Sequence, residues 1–211
     1  MKALLIIDVQ NDFLPGGSLA VPEGDAVIPV INSLQDNFDL VVATQDWHPA
    51  DHGSFASSHQ GCKVYEVTEL NGLEQTLWPD HCVQATSGAA FAAALRQERI
   101  EAIFRKGMDS DIDSYSGFFD NAHRKSTGLA EYLRGKSVGE VYVTGLAGDV
   151  CVYYTVLDAL GEGFATYLVA DATKAVNVKD GDFDKALGHM QDEGAQLTQS
   201  GVLKMSLFNR R

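Results

Sequence analysis

Six short apolar runs, each about as long as a strand and mostly separated by stretches of helical length, leave this chain few architectures. They are ALLII (3–7), LVVAT (40–44), IEAIF (100–104), EVYVT (140–144), ATYLV (165–169) and the weaker AQLT (195–198). Helical patterning falls around 25–37, 88–98, 126–135, 151–161 and 181–193. Runs that are apolar throughout, rather than at every second position, mark strands buried on both faces. Their alternation with helices predicts an α/β fold, a six-stranded parallel sheet with helices on both faces. The 211 residues contain no repeat, low-complexity tract or Pro/Ser linker, so one domain over 1–211 is expected. Residues 45–87 break the alternation and are rich in His, Pro, Gly and Ser. An irregular insertion of that length in a compact α/β domain is usually functional.

In open α/β sheets, ligands bind beyond the carboxyl ends of the strands. Asp8 follows the first run, Asp46 and His48 the second, Lys106 the third and Cys151 the fourth. Taken singly, each has an ordinary reading. Asp8 could cap a turn, Lys106 could be a surface lysine, and a lone cysteine is most often a small buried hydrophobe. Four successive strands that each deliver such a residue to one sheet edge suggest chemistry instead. A thiol attacks as thiolate, and Cys151 at a helix start with Lys106 nearby has two features that favour the anion. Asp8 could then take the proton. The turn GLAGD (145–149) offers backbone N–H groups for an oxyanion. Asp149 reads best as the N-cap of the helix that follows.

The segment DWHPADH (46–52) and the later WPDHC (78–82) put Asp46, His48, His52 and His81 in one loop region. Carboxylate plus imidazole is a donor set suited to one divalent ion, Zn²⁺, Fe²⁺ or Mn²⁺. Asp46, His48 and His81 are the firmer ligands, and His52 is the additional one. Phe13, Trp47 and Trp78 accompany them and could cap a core or wall a slot for a flat ligand.

Composition narrows the partners. The net charge of −13, from 29 acidic and 16 basic residues, disfavours nucleic acid and anionic membrane surfaces, which demand clustered Lys and Arg. Three cysteines without a CxxC pair suit a reducing compartment, and no run approaches membrane-spanning length. The expectation is a cytoplasmic enzyme acting on a small molecule, with homo-oligomerisation left open. No dinucleotide fingerprint is present.

In order and spacing these motifs resemble the nicotinamidase/pyrazinamidase branch of the isochorismatase-like cysteine hydrolases. The likeness runs through IDVQNDF (7–13), GGSLAVPEG (16–24), ATQDWHPADHGSFAS (43–57), LWPDHCV (77–83), FRKG (104–107), SYSGFF (114–119) and TGLAGDVCV (144–152). The resemblance implies Cys151 as nucleophile, Asp8 as proton shuttle and Lys106 as the cation between them. It implies Asp46, His48 and His81 as metal ligands, with His52 ligating in some members only. Phe13, Trp78 and Tyr115 match the substrate slot. A cis peptide before Ala147 would let the N–H groups of Ala147 and Cys151 form the oxyanion hole. The implied reaction turns nicotinamide into nicotinate and ammonia through a thioester, with pyrazinamide as a second substrate. The alternatives are a hydrolase of another small amide or carbamoyl compound on this fold, and an inactive metal-binding protein. One position departs from the pattern: Gly148 stands where the family usually has threonine. Threonine at 148 is therefore expected to be accepted with equal or modestly higher activity.

Overall fold

The computed structural model describes residues 1–208; residues 209–211, the end of the expected domain, lie outside them. The strands are β1 (Lys2–Ile7), β2 (Leu40–Asp46), β3 (Val67–Leu70), β4 (Leu73–Thr76), β5 (Ala102–Lys106), β6 (Glu140–Gly145), β7 (Ala165–Thr173) and β8 (Gln196–Thr198). The helices are α1 (Val27–Leu34), α2 (Leu129–Gly135), α3 (Cys151–Gly161), α4 (Asp182–Asp192) and α5 (Ser200–Phe208). Six strands form one parallel sheet in the order β5-β2-β1-β6-β7-β8. The chain runs outward from β1 through β2 to β5, then returns to lay β6 against the other side of β1. That reversal puts the topological switch point between β1 and β6, where parallel sheets open a crevice at their carboxyl ends.

Successive residues of β1 feed opposite cores, as the two-residue period of a strand requires. Leu4 and Ile6 pack with Val41 and with Val27, Ile31 and Leu34 of α1. Leu5 and Ile7 pack with Val143, Leu133 of α2, Val156 of α3 and Met190 of α4. Each such side chain removed from water stabilises the fold by about 1.5–3 kcal/mol before its ordering cost. Burial on both faces explains why the runs are apolar at every position.

The helix expected over 88–98 does not form. Its backbone is satisfied by the rest of the chain instead: the Gln10 and Gln45 side-chain amides both donate to the Ala89 carbonyl at 2.9 Å. Ala92 N–H donates to Val9 O at 3.0 Å, and Asn32 donates to Ala94 O while accepting from Arg96 N–H, both at 2.8 Å. Tertiary hydrogen bonding overrides the local propensity of an alanine-rich segment. The insertion is also more ordered than its composition suggests, because β3 and β4 pair as an antiparallel hairpin within it.

Candidate active site

Asp8 directly follows β1, Asp46 ends β2, Lys106 ends β5, and Cys151 opens α3 just after β6. The pairing register sets Asp46 beside Lys106. All four are at most 5% exposed, so any charge among them must be met by another. Lys106 is the hub. Its ammonium faces Asp8 Oδ2 at 3.0 Å, bonds Asp46 Oδ1, and donates to the Ser114 carbonyl at 2.9 Å. Its fourth contact is Cys151 Sγ at 3.5 Å. Thr44 donates its hydroxyl to Asp8 Oδ1 at 2.6 Å and fixes the other end of that carboxylate.

Burial pushes the Asp8 carboxyl upward; Lys106 opposes this only in part, and the net direction is up. Burial acts on Asp46 in the same sense, but Lys106 and then His48 outweigh it and hold that carboxyl well below its ordinary value. Burial would lower Lys106, yet Asp46 and Asp8 more than compensate, so it stays a cation. The Cys151 thiol rises well above its usual value: burial is the main cause, and Lys106 offsets only part of it. The helix terminus and one cation do not overcome burial, and the resting sulfur holds its proton with Asp8 as hydrogen-bond partner.

Beside this group Asp46 Oδ2 lies 3.5 Å from His48 Nε2 and 3.7 Å from His81 Nε2. Each imidazole uses Nδ1 on a carbonyl, His48 on Gly107 O and His81 on Pro79 O, both at 2.8 Å. A neutral ring that donates through Nδ1 carries its lone pair on Nε2. Two such lone pairs and a carboxylate oxygen, converging within 4.8 Å, are a cation's coordination shell. His52 is wholly buried, its Nδ1 is 2.7 Å from Ser54 Oγ, and its Nε2 has no partner among the described residues. Burial first, then the neighbouring His48, pulls its pKa down to about 4. It is a neutral imidazole with one unused nitrogen, and it converges with His48 and Asp113 rather than with Asp46 and His81. These residues fit a divalent ion.

Phe13, Trp78, Tyr115, Ala147 and Cys151 line a narrow slot of about 20 Å³, with Asp46 and His81 at its polar side. That is room for about one water. A larger cleft of about 510 Å³ lies beside Lys106, but neither Asp8 nor Cys151 lines it. The peptide between Leu146 and Ala147 is cis, and among the described residues nothing accepts from the N–H of Ala147 or Cys151. Both residues line the slot, and Cys151 opens α3 at the positive end of its dipole.

Several participants were missed by sequence reasoning. Thr44 sits inside an apolar run, and its reach to Asp8 exists only through the β1–β2 register. Gln10 braces the backbone of Asp46 from both sides, accepting from its N–H and donating to its carbonyl, each at 2.8 Å. Asp113 lines the slot and accepts from Gln75 Nε2 at 3.0 Å, which ties the hairpin to the site. One expectation fails. Asp149 does not cap α3; its carboxylate accepts from Val176 N–H at 3.0 Å and Asn177 N–H at 2.7 Å. At Gly148 a Cβ would lie 2.6 Å from Cε2 of Phe183, so threonine there requires that ring or the turn to shift.

A crevice thiol with a buried carboxylate and ammonium, at the switch point of a parallel sheet, defines a class of cysteine hydrolase. The Isochorismatase domain model matches residues 2–201, and the chain belongs to that family. It is 48% identical over 200 residues to the nicotinamidase of Escherichia coli, covering 93% of each protein. Among solved structures, a nicotinamidase/pyrazinamidase of Acinetobacter baumanii superposes with a TM-score of 0.93 at 44% identity, covering 96% of this chain and 97% of that one. A pyrazinamidase of Pyrococcus horikoshii, solved in complex with zinc, gives 0.77 at 40% identity over 94% of this chain and 98% of its own.

Proposed function

We propose that this chain is a nicotinamidase that hydrolyses nicotinamide to nicotinate and ammonia and also deamidates pyrazinamide. The observation that carries the reading is the meeting of two sets of groups at one aromatic slot. Cys151, Asp8 and Lys106 supply an acyl-transfer centre, and Asp46, His48 and His81 supply an anchor for a ring nitrogen. A substrate without that nitrogen has no use for the second set.

The slot walls Phe13 and Trp78 hold the ring, and Tyr115 closes over it. As Sγ attacks the carboxamide carbon, its proton passes to Asp8, so no free thiolate has to persist in the buried site. The carbonyl oxygen becomes an oxyanion received by the N–H groups of Ala147 and Cys151. Asp8 returns its proton to the amide nitrogen, the C–N bond breaks and ammonia leaves a thioester. Asp8, again a carboxylate, removes a proton from water as the oxygen attacks the thioester carbon. The C–S bond then breaks, nicotinate departs, and the proton on Asp8 restores the thiol. Lys106 keeps its charge throughout and balances Asp8, Asp46 and the forming thiolate.

Zn²⁺ or Fe²⁺, with Mn²⁺ as the further option, suits Asp46, His48 and His81, with His52 at hand as a fourth donor. When bound, such an ion supplies a Lewis-acid contact that orients the ring. Among the described residues no helix is long and apolar enough to cross a membrane. We place the enzyme in the cytoplasm with a free small molecule as its substrate. Ammonia release from the purified protein tests the reading. Nicotinamide and pyrazinamide should be turned over well, benzamide poorly and isochorismate not at all. Benzamide turned over as fast as nicotinamide would overturn it.

A further inference from the structure

Behind the nucleophile turn, on the side away from the slot, lies one aromatic ring with no place in either apolar core. Phe183 sits in the first turn of α4 and is half-buried. It belongs to neither of the two buried clusters that flank the sheet. Its ring rests on the Cα of Gly148: a Cβ there would meet Cε2 at 2.6 Å and both Cδ2 and Cζ at 3.1 Å. The backbone of Phe183 serves the same region, since its N–H donates to Asn177 Oδ1 at 3.0 Å.

Hydrogen bonds tie this turn to the segment after β7. Gly148 N–H donates to Lys174 O at 2.7 Å, and Thr173 donates its hydroxyl to Gly145 O at 2.7 Å. Asp149 accepts from Val176 and Asn177. The turn is thus stitched to 173–177 by polar contacts and backed by a ring at Gly148. We infer that Phe183 is a positioning residue for the oxyanion-binding N–H groups of Ala147 and Cys151, acting through its seat on Gly148. This rests on the nicotinamidase reading, because it names what orients that reaction's anion site.

The contact is steep. Ordinary packing needs at least 3.4 Å, so a methyl at 148 forces the ring or the turn to give by about 0.8 Å. Displacing a catalytic group by about 1 Å can cost about 10²-fold in rate. A ring that only filled a surface hollow would swing aside, and the turn would stay where it is.

The test compares wild type with Gly148→Ala, Phe183→Ala, Phe183→Leu and the double variant Gly148→Ala/Phe183→Ala. Turnover of nicotinamide is measured with inhibition by pyridine-3-carboxaldehyde and by nicotinate, alongside thermal melting. In the aldehyde adduct the S–C bond forms, the carbonyl π bond breaks, and the thiol proton ends on the new oxygen, which sits at the two N–H groups. Gly148→Ala should lose about tenfold or more in kcat with KM within about twofold. Its aldehyde inhibition should weaken in parallel while nicotinate inhibition holds. Phe183→Ala should lose less, Phe183→Leu less again, and the double variant should recover above Gly148→Ala alone. Wild-type kcat in Gly148→Ala overturns the inference. So does a double variant whose losses multiply, or a Phe183→Ala that changes only the melting temperature. Where Phe183→Ala does not fold, Phe183→Leu with Gly148→Ala supplies the same coupling. Failure of wild type to release ammonia would defeat the nicotinamidase reading instead. The coupling would then be read from alkylation of Cys151, and additive rates there would overturn the positioning role.

Discussion

Replacing Lys106 with methionine keeps an unbranched side chain one atom shorter and removes the ammonium, its charge together with its hydrogen bonds to Asp46 and Ser114, so it tests what that group does for the thiol. The nitrogen lies 3.5 Å from Cys151 Sγ. At an effective dielectric of about 20, a unit charge at that distance favours the thiolate by about 5 kcal/mol. The net loss will be smaller, because Asp8 is already pushed up by burial and takes a proton once its cation is gone. Its own repulsion of the thiolate then vanishes. Roughly 2–3 kcal/mol remains, a fall of about 30- to 150-fold in the reactive fraction at pH 8. The assay is the rate of iodoacetamide addition at Cys151 against pH, followed by mass spectrometry. Cys62 is exposed and serves as reference in the same molecule. The Cys151 profile should move to higher pH in Lys106→Met while the Cys62 rate is unchanged. Asp46, left a buried carboxylate without its cation, should also cost about 3 kcal/mol of stability, or about 6–12 °C in Tm. Superimposable profiles with the same Tm would refute the reasoning and leave Lys106 without electrostatic influence on the sulfur.

Cys151→Ala should lower amidase turnover by several orders of magnitude with the fold intact; appreciable residual turnover would sink the covalent route. Thr44→Val removes a hydrogen bond that holds the Asp8 carboxyl down, so that carboxyl should rise further. A base that rises in pKa is protonated earlier as pH falls. The acid limb of kcat/KM should therefore move to higher pH, with about a tenfold loss at the acid end and little change on the plateau. Chelation, or His81→Ala with folding checked by circular dichroism, should hurt nicotinamide far more than benzamide. Equal loss on both substrates would show that the ion takes part in the chemistry rather than in holding the ring.

The strands were legible where burial on both faces makes every residue apolar, as in β1, β2 and β6. The hairpin of β3 and β4 was not, because all but one of its residues are half-exposed or exposed and it lies outside the main sheet, so neither period stands out. The 88–98 segment misled for the opposite reason: its local propensity is helical, and glutamines far away in sequence take its carbonyls. The site divides along the same line. Polar residues at strand ends announce themselves against an apolar run, which exposed Asp8, Asp46, Lys106 and Cys151. Thr44 and Gln10 act through neighbours that only the sheet register supplies. Gly148 shows the limit most directly, since the group that packs against it, Phe183, lies thirty-five positions along the chain.

Why two carboxylates on one ammonium should do different work follows from their surroundings. Asp8 and Asp46 both stand at the carboxyl edge of the sheet, both are buried, and both face Lys106. Burial pushes each upward by the same mechanism. Asp46 also faces His48 and His81, and those neighbours with Lys106 hold it ionised. Asp8 has only Lys106 and the Thr44 hydroxyl against its desolvation, and it remains raised. Environments that drive two titratable groups apart in this way separate their roles. The lowered carboxylate keeps a permanent charge and suits a cation's coordination shell. The raised one can accept a proton and release it, which the two halves of an amide hydrolysis demand. In the proposed mechanism Lys106 is therefore not a third acid or base. It lets a buried negative charge persist on Asp46 while leaving Asp8 poised to change its own.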